Sequence, residues 1–182
     1  WAGLYALALV DIETAYERAI AHYRGVSSDE VDRATRAWFV KDVAHRLRPG
    51  GRRALAAHRA QGHPLVLITN SSCYEAAIAC ETWNMDAWLA NVFPTDEGHR
   101  LTGQLIRPLC YGQGKVVRAD AWAREHDVDL DRSYFYTDSI SDLAMLERVG
   151  EPRVIAPDPR LKREAKRRGW VIEAWGRALS EA

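Results

Sequence analysis

From residue 64 onward the chain alternates short, uninterrupted apolar runs with stretches of helical periodicity. The runs are PLVLIT (64–69), AWLANVF (87–93), YFYT (134–137), PRVIA (152–156) and WVIEAW (170–175). A strand with one face in water alternates apolar and polar residues. A run that is apolar at nearly every position is buried on both faces. Helices are predicted between the runs, at about 72–83, 113–126, 141–148 and 159–168. Strands joined by helical crossovers lie parallel, so the pattern predicts an α/β fold with a doubly wound parallel sheet. A further strand is predicted at RLTGQLI (100–106), after a turn at Asp96–His99.

Residues 1–48 read differently. Leu4, Leu7, Val10 and Ile12, then Ala15, Ala19 and Tyr23, follow helical spacing up to Gly25. Ser27 with Glu30 matches a capping box, so a second helix is predicted to start there and to carry Val31, Ala34, Trp38 and Val43. Pro49-Gly50-Gly51 breaks this pattern, and a helix at about 52–61 follows. The expected division is a helical piece, 1–48, and an α/β piece, 49–182. Trp1, Tyr5, Trp38 and Phe39 are expected to pack the helical piece. Arg46, Arg48, Arg52 and Arg53 read as a solvated basic face near the break.

The 182 residues carry 25 Lys+Arg and 25 Asp+Glu, so no net field favours nucleic acid or a membrane surface. The basic stretch Lys162, Arg163, Lys166, Arg167 and Arg168 reads as surface charge. No apolar run approaches the ~20 residues of a membrane span. Cys73, Cys80 and Cys110 are an odd set without CxxC spacing, which fits reduced thiols and a cytoplasmic setting. His58 and His63 show no metal-motif spacing.

In a doubly wound sheet, ligands bind beyond the carboxyl ends of the strands. The residues expected there are Thr69, Asn70, Ser71 and Ser72 after the first run, and Asp138 and Asp142 after YFYT. Lys115 lies in GQGK at the start of the 113–126 helix. Hydroxyls, helix-terminal N–H groups and an ammonium suit phosphate. Carboxylates suit Mg²⁺, which takes hard oxygen ligands together with water and phosphate oxygens. Asp138 is the expected direct metal ligand, with Asp142 holding a metal-bound water or the lysine. Each residue alone has a plainer reading. Asp138 suits a helix cap, Asp142 a first-turn acid, Thr69–Ser72 capping chemistry and Lys115 a surface lysine. The ordered combination points to the site. Arg107, Tyr111 and Gln113 precede the lysine loop and are candidate lining residues.

These motifs resemble the haloacid dehalogenase-like superfamily, in its phosphoserine-phosphatase-like branch (subfamily IB), over roughly residues 64–175. YTDSISDLAMLERVGEPRVIAPDPRLKREAKRRGW is similar to the family's fourth motif and the strand and helix that follow it. LVLITNSS resembles the second motif and CYGQGKVVRADAW the third. The resemblance implies a Rossmann-like core with a small helical cap, of which residues 1–48 would be part. It implies a Mg²⁺-dependent phosphomonoester hydrolase acting on a small phosphorylated metabolite, as phosphoserine or histidinol-phosphate phosphatases do. It makes Thr69, Asn70 and Lys115 phosphate-binding, Lys115, Asp138 and Asp142 catalytic, and Asp138 the metal ligand. The implied mechanism passes through an aspartyl-phosphate, formed on the first aspartate of a DxDxT motif at the end of the first strand.

That DxDxT is absent. ALALVDIET (6–14) comes nearest, but it carries Glu13 where the second aspartate belongs. It also runs on as a helical pattern and lies only 58 residues before Thr69. Asp11 is therefore read as a coincidental match. The nucleophile is expected upstream of Trp1, so the 182 residues alone are expected to be inactive and poorly stable. The competing reading is a non-catalytic relative that kept the fold and lost the motif. A response-regulator-like receiver is disfavoured by order, since its acids precede its Thr and Lys whereas Asp138 follows both.

Overall fold

The computed structural model describes residues 12–176. Trp1, Leu4, Tyr5, Leu7, Val10 and Asp11 lie outside the described residues. The elements run α1 (Ile12–Ala21), α2 (Ser28–Asp42), α3 (Pro49–Ala60), β1 (Val66–Ser72), α4 (Cys73–Thr82), β2 (Ala87–Asn91), α5 (Gln113–Glu125), β3 (Tyr134–Thr137), α6 (Leu143–Arg148), β4 (Glu151–Ile155), α7 (Pro159–Arg168) and β5 (Val171–Glu173). Short 3₁₀ turns at Ala44–Arg46, Leu130–Arg132 and Ile140–Asp142 lead into α3, β3 and α6.

Every strand pairing is parallel, as the doubly apolar runs require. The strands form two groups. β1 pairs with β2, with Val66 opposite Ala87 and Ile68 opposite Leu89. β3, β4 and β5 form the second sheet, in that order. The larger core lies beneath β3 and β4. There Val116, Ala119, Phe135, Met145, Leu146, Val154 and Leu161 are buried together, and Ile68 and Leu89 of the other sheet pack against them. A smaller cluster of Phe39, Ile78 and Ala79 joins α2 to α4, with Trp83 against Phe39 at 5.5 Å between ring centroids.

Four expectations need correction. RLTGQLI forms no strand. Arg100 and Leu101 instead make isolated antiparallel bridges with Ser27 and Thr95. Leu101 exchanges backbone bonds with Gly25 and Val26, and Gly103, at φ 73°, ends the extended stretch. The same clasp explains the second correction. Ser27 precedes α2 but its hydroxyl caps nothing, because this stretch of backbone is tied to residues 99–101. The capping box forms at Ser72 and Glu75, at the start of α4. Third, Gly50 and Gly51 lie inside α3, where Pro49 occupies the first turn. Both are buried under Trp175, and a Cβ on Gly50 would sit 2.4 Å from that ring. Fourth, Trp38 is 46% exposed while its neighbour Phe39 is buried, so of these two only Phe39 packs the helical piece as expected.

Candidate active site

The chemistry gathers at the carboxyl ends of β1, β2 and β3. β1 runs on through the polar NSS, with an irregularity between Ile68 and Ser72, so Thr69 and Asn70 lie within the strand's distorted end. The Thr69 hydroxyl accepts from Ser71 N–H at 3.1 Å. The Asn70 side chain is exposed and its carbonyl is the group in use. That carbonyl accepts from Asn91 Nδ2 at 2.7 Å and from the Tyr16 hydroxyl at 2.8 Å. Asn91 ends β2, is fully buried, and also accepts from Cys110 N–H at 2.8 Å. One side chain thus fixes the lysine loop to two strand ends. Sequence reading missed it. Its only signal was a polar residue closing the apolar run AWLAN.

Lys115 and Asp142 are the buried ionic pair of the site, each only 6% exposed. Lys115 Nζ donates to Asp142 Oδ1 at 2.6 Å, and the Thr137 hydroxyl donates to Asp142 Oδ2 at 2.7 Å. Of the two roles open to Asp142, it holds the lysine. Gly112–Lys115 turns into α5 with Gly114 so close to Leu109 that a Cβ would lie 1.9 Å from its carbonyl oxygen. That approach aims the lysine inward.

Asp138 differs. It follows Thr137 directly, is exposed, and its carboxylate makes no hydrogen bond or ion pair among the described residues. Only its backbone carbonyl is engaged, accepting from Asp158 N–H at 3.0 Å. Asp158 meanwhile caps α7 and bonds Ile140 N–H, which fixes the Asp138–Asp142 turn. Those backbone N–H bonds outweigh partial burial and draw the Asp158 carboxyl below its usual range.

Thr69 belongs to the same cluster through Cys110. Burial pushes that thiol up, while Lys115, Arg118 and a hydrogen bond from the Thr69 backbone act against it. Cys110 is thus an inert packing thiol, donating to the Leu89 carbonyl. α1 reaches over from the helical piece. Burial, then Glu75, Tyr111 and Cys110, raise the Tyr16 hydroxyl. Arg107, a candidate lining residue, forms ion pairs with Glu13 and Glu17 and so ties the lysine loop to α1. Gln113 is exposed.

Among the described residues no cluster of three or more His, Cys, Asp or Glu side chains is arranged to hold a metal. The donor chemistry fits magnesium nonetheless. A free, exposed carboxylate on Asp138 beside hydroxyls and a buried ammonium is the one-carboxylate arrangement in which Mg²⁺ keeps water and takes phosphate oxygens. Asp142 accepts one bond on each carboxylate oxygen, from Lys115 and from Thr137.

A parallel α/β fold with hydroxyls, a buried lysine and a free carboxylate at its strand ends defines a class of phosphate-handling proteins. The haloacid dehalogenase-like hydrolase family matches residues 1–147, and the chain belongs to it. A histidinol-phosphatase of Neisseria meningitidis is 25% identical over 171 residues, covering 92% of this chain and 77% of that protein. A phosphoserine phosphatase of Mycobacterium tuberculosis is 28% identical over 162 residues, covering 89% of this chain and 52% of that protein. The chain spans about half the length of the mycobacterial relatives it matches. A solved structure from Bordetella pertussis, of a protein with unknown function, superposes with a TM-score of 0.80 at 27% identity, covering 92% of this chain and 76% of that one. No helix among the described residues is long and apolar enough to cross a membrane.

Proposed function

We propose that this chain is a Mg²⁺-dependent phosphomonoester hydrolase for a small phosphorylated metabolite. The carrying observation is the buried Lys115–Asp142–Thr137 cluster beside Asp138, whose carboxylate is exposed and makes no bond among the described residues. The names of the relatives, a histidinol-phosphatase and a phosphoserine phosphatase, support the substrate class. The reading includes a cytoplasmic setting and a helical cap drawn from residues 1–48 over a core of 49–182.

In this reading Thr69, the N–H groups around Asn70 and Lys115 bind the phosphate. Lys115 neutralises charge that builds on the transferring phosphoryl group, and Asp142 holds its ammonium in place. Asp138 would hold Mg²⁺, which when bound offsets phosphate charge. Tyr16 and Arg107 fasten α1 over the strand ends and limit water access. The phosphoryl acceptor in this reading is an aspartate.

The test is hydrolysis of phosphoserine, histidinol phosphate and p-nitrophenyl phosphate by the protein, with and without Mg²⁺. Turnover should require Mg²⁺. Asp138→Asn should lower it by about 10²–10³ while stability stays within about 0.5 kcal/mol, since that carboxylate is exposed and bonds nothing among the described residues. Turnover that survives chelation and Asp138→Asn would refute the reading.

A further inference from the structure

Asn91 is fully buried, and both ends of its side-chain amide are in use. Nδ2 donates to the Asn70 carbonyl at 2.7 Å, and Oδ1 accepts from Cys110 N–H at 2.8 Å. A backbone N–H only donates and a carbonyl only accepts, so the amide has one permitted orientation. The Cys110 bond holds Oδ1 on its own side and thereby turns Nδ2 toward Asn70. An ionised aspartate here would bring a second acceptor to the Asn70 carbonyl, and a leucine would make neither bond. Burying an amide at the end of AWLAN carries a solvation cost that an apolar residue would not. The two bonds show what offsets it.

The Asn70 carbonyl lies where β1 loses its regular pairing. The register slips between Ile68 and Ser72, so Thr69, Asn70 and Ser71 have no opposite number on β2. The Asn70–Ser71 peptide is fixed instead by Asn91, with the Tyr16 hydroxyl as a second donor to its carbonyl at 2.8 Å. In a trans peptide the carbonyl and the following N–H point in opposite directions. Holding the Asn70 carbonyl on Asn91 therefore turns Ser71 N–H the other way, where it donates to the Thr69 hydroxyl oxygen at 3.1 Å. A hydroxyl has two lone pairs and one proton. With a lone pair taken by Ser71 N–H, the Thr69 proton points away from that peptide, and among the described residues it has no acceptor. It is left to donate to a bound oxyanion.

We propose that Asn91 is a positioning residue for phosphate binding, acting through the Asn70–Ser71 peptide to hold the Thr69 hydroxyl as a donor to a phosphate oxygen. Cys110 N–H sets the direction of the amide, the amide sets the peptide, and the peptide sets the hydroxyl. The inference rests on the reading of Thr69 as a phosphate-binding residue.

The experiment measures the affinity of the protein for inorganic phosphate by calorimetry in the presence of Mg²⁺, a readout that needs no turnover. Asn91→Leu should weaken binding about tenfold, with Tyr16 still on the carbonyl. The same substitution in a Thr69→Val background should weaken it less than about threefold, because the hydroxyl it would misdirect is gone. Asn91→Asp supplies a readout that a packing role would not move. Burial raises the pKa of a carboxyl, and only the protonated form copies the amide, with its O–H toward Asn70. Affinity relative to the unsubstituted protein should therefore recover as pH falls, whereas the Asn91→Leu ratio stays flat. The titration of phosphate itself cancels in both ratios. Asn91→Leu binding phosphate as tightly as the unsubstituted protein would overturn the proposal, as would an equal loss with and without the Thr69 hydroxyl. If Asn91→Leu does not fold, the Asn91→Asp ratio decides, and a ratio flat with pH overturns the proposal. An unsubstituted protein that binds no phosphate would refute the phosphate site itself, and the proposal with it.

Discussion

Replacing Asp142 by alanine removes the partner of a buried ammonium. Lys115 and Asp142 are each 6% exposed, and their contact is 2.6 Å. The substitution also strips the Thr137 hydroxyl of its acceptor. Breaking a buried ion pair from one side costs about 3–5 kcal/mol, because the surviving charge is left in a poorly solvating place. In a chain of this length each kcal/mol moves the thermal midpoint by about 2–4 °C, so a fall of about 6–20 °C is expected. The double variant Lys115→Met/Asp142→Leu leaves no charge behind. It should recover most of the loss, since apolar replacements of buried pairs are often neutral. Urea unfolding of the unsubstituted protein, Lys115→Met, Asp142→Leu and the double variant closes the cycle, with a coupling of about 2 kcal/mol expected. A cost below about 1 kcal/mol for Asp142→Ala would show the pair behaving as a solvated surface bridge. A double variant as unstable as the sum of its parts would refute the argument as well. The stable double variant should lack phosphatase activity, which separates the pair's chemical role from its structural one.

Three further outcomes follow from named contacts. Ser72→Ala should cost about 0.5–2 kcal/mol by urea unfolding, whereas Ser27→Ala should cost almost nothing, because only the Ser72 hydroxyl caps its helix. Gly50→Ala should destabilise by about 1–3 kcal/mol and perturb tryptophan fluorescence, since the new methyl would collide with Trp175 at 2.4 Å. His58, held between His63 and Tyr136 at 3.0 and 2.9 Å, has its pKa lowered by burial first and then by His63 and Arg153. The unfolded chain then binds its proton more readily than the folded one. Stability should fall as pH drops through the ordinary histidine value of 6.5 toward the lower folded value, and then level off. A urea midpoint in His58→Asn with an unchanged slope over that window would contradict this.

Features set by local chemistry were legible in the sequence. β4 and α7 lie within a residue or two of their expected bounds, because an unbroken apolar run and an Asp158-Pro159 start leave little choice. RLTGQLI was misread because its apolar residues serve a loop clasp with residues 25–28, a contact to a distant segment that no local period encodes. His58 and His63 looked isolated because the hydrogen bond that continues their pair goes to Tyr136, 78 positions from His58. Asn91 was missed for the same reason, since both its partners belong to other elements.

The Lys115–Asp142 pairing is also non-local, 27 positions apart, yet it was anticipated. The reason is topological. A parallel sheet places every strand's carboxyl end on one rim, so residues just past successive strands become neighbours whatever chain separates them. Thr137 ends β3 at that rim, Asp142 follows it, and Asn70 lies in the distorted end of β1. Lys115 arrives from the opening turn of α5, whose helix returns the chain from the β2 side to β3. The fold thus converts position after a strand into position at the site. Asn91, at the end of β2, satisfies that criterion too, and reading all strand ends alike, rather than only those with hydroxyls or carboxylates, would have found it.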